Sequence, residues 1–219
     1  MKRRTLDVLF SIGGIALAGL LLVLGLVMTS NANFSKGYVK DQLSQQNITF
    51  KTADTLTPEE AKSACLVKYA GQPLTTGKQA ECYANDFIGL HTRATAGGMT
   101  YAELGTPQSD LRAQVATATK ANDPALPALQ KQLTDITAQR ETLFKGETLR
   151  GLLLTSFGFS VLGVKGEQVA FVAYIVAALL AALSMAGFVH ALKTSKNEAF
   201  AAVAQPAKVK TSGMQPVAV

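Results

Sequence analysis

The sequence predicts an all-α membrane protein in which two transmembrane helices flank a mostly helical extracytoplasmic domain with a helical hairpin. Three observations carry that expectation. Two long apolar segments lie near the ends, basic residues sit on their outer flanks, and the polar middle is rich in helix-start signals but poor in strand patterns.

The segment Leu6 to Met28 carries one charge in 23 positions, Asp7 at its margin. The segment Val169 to Leu192 carries none in 24 while His190 is neutral. At 1.5 Å per residue each makes a helix of about 35 Å, enough for a hydrocarbon core of about 30 Å. A cleaved signal peptide competes for the first segment, with Lys2-Arg3-Arg4 as its basic start and Ser30-Asn31-Ala32 as a small-x-small site. The apolar run exceeds the usual h-region of about 7–15 residues, which favours an uncleaved anchor over 6–28. The second span is placed at 168–192.

Lys2, Arg3 and Arg4 precede the first span, and Lys193, Lys196, Lys208 and Lys210 follow the second. The positive-inside rule then makes 1–5 and 193–219 cytoplasmic and the domain 29–150 extracytoplasmic. The net charge of +6 is not gathered on one patch, so it belongs to topology and anionic headgroups rather than to nucleic acid. From Ser195 onward, small residues, prolines and lysines read as a disordered tail, with Glu198 to Ala204 able to prolong the second span's helix.

Gly151 to Val164 (GLLLTSFGFSVLGV) is a third apolar run, short for a crossing and holding three glycines. A crossing here would put the lysine-containing C-terminus outside, against the charge rule. Residues 151–167 are therefore expected to form an interfacial segment that ends in a turn at Lys165-Gly166-Glu167.

In the middle region Thr57-Pro58-Glu59-Glu60 supplies a cap, a first-turn proline and a capping box closed by Glu60. Thr106-Pro107 repeats the cap-plus-proline signature, and Thr100 with Glu103 offers a box for a short turn that Gly105 should end. Helices are expected near 33–46, 58–70, 77–93, 107–121 and 125–163. Only Asn47 to Lys51 (NITFK) alternates like a strand, over too short a run. Leu104, Leu111, Val115 and Ala118 form one apolar stripe. Leu126, Leu129, Leu133, Ile136 and Leu143 form another, interrupted by Arg140. A short turn at Asn122-Asp123-Pro124 pairs the two helices, either as the domain's own core or as a coiled-coil seam for a partner.

Cys65 and Cys82 fall in two consecutive expected helices, on the oxidising side of the membrane, where a structural disulfide is the simplest outcome. A zinc site would need two more ligands, and His91 is the only histidine in the region. No Cys-x-x-Cys spacing suggests a redox couple. Nucleophile-elbow, phosphate-loop, dinucleotide and His-Glu-x-x-His patterns are all missing. His91 reads as a helix-end residue, and His190, near the cytoplasmic end of the second span, as a headgroup contact. A catalytic cluster could still form around His91, Asp86 and Tyr83. In the spans, Gly14 and Ala18, the ridge Ala173, Ala177 and Ala181, and the adjacent ridge Ala178, Ala182 and Ala186 have the small-residue spacing that lets helices approach closely. They serve either the two spans themselves or a membrane partner.

The stretches SNANFSKGYVKDQLSQQNITF, EAKSACLVKYAGQPLTTGKQAECYANDFIGLH and RETLFKGETLRGLLLTSFGFSVLG resemble a family of uncharacterised two-span membrane proteins of high-GC Gram-positive bacteria. The resemblance covers most of the chain except the tail. It implies the plasma membrane of such a bacterium and no established activity. Some members carry an aromatic-ring-opening dioxygenase label, which two histidines at different edges of a membrane do not support. The expected role is a non-enzymatic accessory or scaffold component of a membrane or envelope complex, with no cofactor and no metal. Its expected partners are the bilayer and a membrane protein or second copy. The alternatives are a ligand-sensing domain, marked by a concave, partly apolar pocket between the cysteine unit and the long hairpin, and an envelope enzyme.

Overall fold

A computed structural model describes residues 2–195. Among these the secondary structure is helical throughout, with no strand. The order is α1 (Arg3–Gln45), 3₁₀ turns at Ala53–Thr55 and Glu60–Lys62, α2 (Ala64–Tyr69), α3 (Gly77–Cys82), a π-helical segment (Tyr83–Ile88), α4 (Gly89–Thr95), α5 (Gly105–Ala121) and α6 (Leu126–Lys193). The chain divides into two compact units, Met1–Gly25 with Phe171–Val219, and Leu26–Ala170. The tail expected at 193–219, its possible helix at Glu198 to Ala204 and Lys196 lie largely or wholly outside the described residues.

In the first unit α1 and α6 run antiparallel. Asp7 Oδ2 lies 2.9 Å from His190 Nδ1. A Cβ at Gly14 would collide with the Ser184 side chain, and one at Gly187 with that of Ser11. Glycine is required at both places because each helix seats its serine against the bare backbone of the other. Ser11, Ala18, Gly25, Ala177, Ser184 and Ala191 are buried, and the large residues Phe10, Leu20, Phe171 and Leu183 point outward. Both helices are long and apolar enough to cross a membrane, and 17% and 22% of their most apolar windows is buried. That is the reverse of a soluble protein's core helix. Lys2, Arg3, Arg4 and Lys193 share one end of the pair.

In the second unit Ser35 Oγ donates to Phe159 O at 2.6 Å, Lys36 pairs with Glu167, and Gly163 and Gly166 lie against Ala32. These contacts correct two expectations. The break between a first span at 6–28 and a helix at 33–46 is not there, because α1 continues through both. The turn at Lys165-Gly166-Glu167 is not there either. Gly166 packs against α1 and Lys165 Nζ reaches Gln168 Oε1, so the helix tolerates the glycine and runs on to Lys193.

The core of this unit gathers Val39 and Leu43 of α1, Phe50, Leu66, Leu74, Ala84, Ile88 and Leu153 of α6. The NITFK stretch is extended, and only Thr49 bridges, to Pro73. Backbone bonds from Phe50 N to Gln72 O (3.0 Å) and Leu74 N to Ile48 O (2.8 Å) fasten the two segments. Ser63 caps α2, and Thr76 with Gln79 makes a capping box on α3. The Thr57–Glu60 box forms, but it closes a 3₁₀ turn rather than a helix over 58–70. The Thr100–Glu103 box also forms. Gly105 then opens α5 instead of ending the turn, which leaves Thr106 inside the helix without a capping role.

Asn122 ends α5 at φ 49° and returns its N–H to Ala118 O and Thr119 O. Across from α5, the first turns of α6 meet Leu104 and Ala96 with Leu143 and Ile136. Gln108 Nε2 donates to Thr137 Oγ1 at 2.8 Å, and Arg140 Nη1 to Gln108 Oε1 at 2.6 Å. Arg140, the interruption in the apolar stripe, thus spends its charge on a buried amide and on the Tyr101 ring, 4.2 Å away.

Candidate functional site

The functional candidate starts from Glu60, whose side chain is fully buried. A buried carboxylate must have partners, and this one has three, making four hydrogen bonds. Thr57 N donates to Oε2 at 2.8 Å. Lys51 Nζ reaches both oxygens at 2.9 and 3.0 Å. His91 Nε2 lies 2.8 Å from Oε1. Burial alone would raise the carboxyl's pKa. Hydrogen bonds from Lys51, the Thr57 N–H and His91, together with the lysine's charge, outweigh that and hold it at about 2, against an ordinary 4.5. Glu60 is therefore a carboxylate at every physiological pH and can only accept hydrogen bonds.

That fixes the histidine. Nε2 must be the donor, so in the neutral ring Nδ1 is the acceptor nitrogen. Nδ1 makes no hydrogen bond within the described residues. The ring packs edge-on against Phe87, with centroids 4.7 Å apart, and the Lys51 ammonium lies 5.5 Å from the centre of the same phenyl ring.

Phe87 owes its position to the π-helical segment Tyr83–Ile88, an i→i+5 stretch inserted between α3 and α4. Such segments re-aim side chains and recur at functional sites. The widened turn sends Tyr83 against Phe50 (5.3 Å between centroids) and Phe87 (4.7 Å), while Asp86 turns the other way. Burial, then the Glu60 charge, raises the Tyr83 pKa and keeps it a neutral phenol.

Beside this cluster opens a cavity of about 450 Å³, lined by Lys51, Phe87, Ile88 and His91, by Thr92, Thr95 and Thr142, and by Lys145, Gly146 and Leu149. It lies between the π–α4 stretch and the first part of α6, over residues 142–149. Its three threonine hydroxyls are engaged: Thr92 donates to Ile88 O, Thr95 to His91 O and Thr142 to Ala138 O. The Glu60–His91 pair therefore has an oriented base but no free hydroxyl nucleophile beside it. The arrangement can bind, orient and exchange a proton at Nδ1.

Cys65 and Cys82 form a disulfide, with Cα atoms 6.0 Å apart, joining α2 to the end of α3 directly before the π segment. Asp86 Oδ2 lies 2.6 Å from Ser63 Oγ and 3.0 Å from Cys65 Sγ. The two sulfurs and this carboxylate are close enough for a metal site, but bonded sulfurs offer no thiolates. A polar cluster of His91 with Asp86 and Tyr83, the one that would have favoured an enzyme, does not assemble, because Asp86 turns to Ser63 and Cys65. Glu60 and Lys51 take that place, and the sequence reading missed both as site residues. The Thr57–Glu60 capping box was the one visible signal, and it pointed to a helix start.

Of the helix-packing residues, Gly14, Ala18, Ala173 and Ala177 face the partner helix, and Ala181 is half-buried. Ala178, Ala182 and Ala186 are exposed. Comparison with protein-family models, curated proteins and solved structures yields no match, so function rests on this geometry alone.

Proposed function

We propose that this chain is a non-enzymatic accessory component of a bacterial plasma-membrane or envelope complex, whose extracytoplasmic head binds a small ligand. The observation that carries the reading is the cavity beside the Lys51–Glu60–His91 network. Its volume falls in the ordinary range for small-molecule sites, about 300–1,000 Å³. It lies between the π–α4 stretch and α6, and no residue of the disulfide-bonded helices α2 and α3 is among its described lining. The engaged hydroxyls favour binding over hydrolysis. In this reading both termini are cytoplasmic, α5 and the first part of α6 form the head's helical hairpin, and the two apolar helices hold it to the bilayer.

Native mass spectrometry of the full chain released from nanodiscs tests this. A bound small molecule at 1:1, lost in Thr142→Trp, supports the reading, since the indole would fill the cavity from an exposed position. An identical mass for the chain with and without that substitution, beyond the residue change, counts against it. A scaffolding role has its own observation, the exposed ridge Ala178, Ala182 and Ala186. Stoichiometric membrane partners in a detergent pull-down, lost in Ala182→Leu, would support it; recovery of the chain alone would not.

A further inference from the structure

The cavity's wall is unbalanced in charge. Two of its lining residues, Lys51 and Lys145, carry a positive charge, and among the described residues no acid lines it. The buried acid beside it, Glu60, is saturated by four hydrogen bonds from three residues. Lys51 divides two N–H groups between the oxygens of Glu60 and keeps a third, on a side chain that is about one-third exposed. Among the described residues Lys145 pairs only with Glu141, at 3.6 Å on the surface, a contact that contributes little and can be exchanged. Phe87, Ile88 and Leu149 supply an apolar floor, with the His91 ring edge-on to Phe87 beside it.

A cationic ligand would meet only like charge here. Inorganic phosphate would leave the floor uncovered, and a neutral apolar molecule would leave the remaining Lys51 donor desolvated. The geometry points to a small organic anion with an apolar body, such as an aryl carboxylate, its charged end at Lys51 and Lys145 and its body against Phe87 and Leu149. This assignment rests on the ligand-binding reading above.

The test uses the full chain in nanodiscs with three probes of one shape, 4-fluorobenzoate, 4-fluorobenzyl alcohol and 4-fluorobenzylammonium, followed by fluorine NMR line broadening. The benzoate is expected to bind at least about fivefold tighter than the other two, and Lys145→Glu to weaken it by about fivefold, the effect of reversing one nearby exposed charge. Thr142→Trp should abolish binding. Unchanged circular dichroism and an intact Cys65–Cys82 bond verify that both variants fold. Equal binding of the alcohol or the ammonium, still blocked by Thr142→Trp, overturns the anion assignment and leaves the binding head standing. If no probe's broadening responds to Thr142→Trp, both are overturned.

Discussion

At the scale of single residues, Glu60 decides most. It closes the Thr57 capping box, neutralises Lys51 and fixes the tautomer of His91. Because its pKa falls on folding from 4.5 to about 2, its stabilising contribution is complete above about pH 4.5 and is lost as pH falls toward 2. Glu60→Gln keeps an acceptor for Thr57 N but removes the charge, and should cost about 1–3 kcal/mol at neutral pH. Thermal unfolding followed by circular dichroism should show the gap between wild type and variant shrinking from pH 4.5 to pH 2. A gap that is the same at both ends of that range would show that the charge is not the source. Part of this site was legible: the three-residue spacing of Thr57 and Glu60 is a local pattern that any helix-start rule detects. Lys51 was not, and His91 was named without this partner, because they lie 9 and 31 residues from Glu60 in the chain and only tertiary packing brings them together.

At the scale of elements, the two long helices show what periodicity can reveal when read at the right repeat. Buried positions in α1 recur every seven residues at Ser11, Ala18, Gly25, Ala32 and Val39. In α6 they recur at Gly163, Ala170, Ala177, Ser184 and Ala191. Within each unit, this seven-residue repeat marks the face along which α1 and α6 pack. Scanning for small residues four apart found fragments of it and also the exposed ridge, but not the repeat. The same repeat explains why α1 does not break near Ser30, where a run of polar residues suggested a boundary: buried Ala32 and Ser35 continue the seam. The π-helical segment had no sequence signal of its own. In the first unit, a Cβ at Gly187 would stand 3.7 Å from that of Ser11, a separation suited to a disulfide. The double variant Ser11→Cys, Gly187→Cys should therefore cross-link within one chain under mild oxidation. Adding Gly14→Leu, whose side chain would press on Ser184, should prevent it. Gel mobility before and after reduction reads both outcomes, and cross-linking that survives Gly14→Leu would mean the helices do not need close approach there.

At the scale of the whole molecule, the question is which side of the membrane each part occupies. Within the first unit the antiparallel helices bring Lys2, Arg3, Arg4 and Lys193 to one end, and the Asp7–His190 pair lies in the same outermost turns. Two sets of basic flanks at one end reinforce a single orientation, since each would resist translocation on its own. A disulfide in the other unit fits an oxidising compartment. The fold was legible at this scale because length and apolarity are properties of the sequence itself. Orientation is a charge asymmetry that labelling can read directly. With Cys65 and Cys82 bonded, neither competes for a thiol reagent. A cysteine at Ser109, exposed on α5, should react with a membrane-impermeant maleimide in intact cells, whereas Ser195→Cys should react only after permeabilisation. The reverse pattern would put the head in the cytoplasm, where a reducing environment would also be expected to open the Cys65–Cys82 bond. Equal labelling of both positions in intact cells would mean that the two helices do not form a membrane hairpin with a common cytoplasmic end.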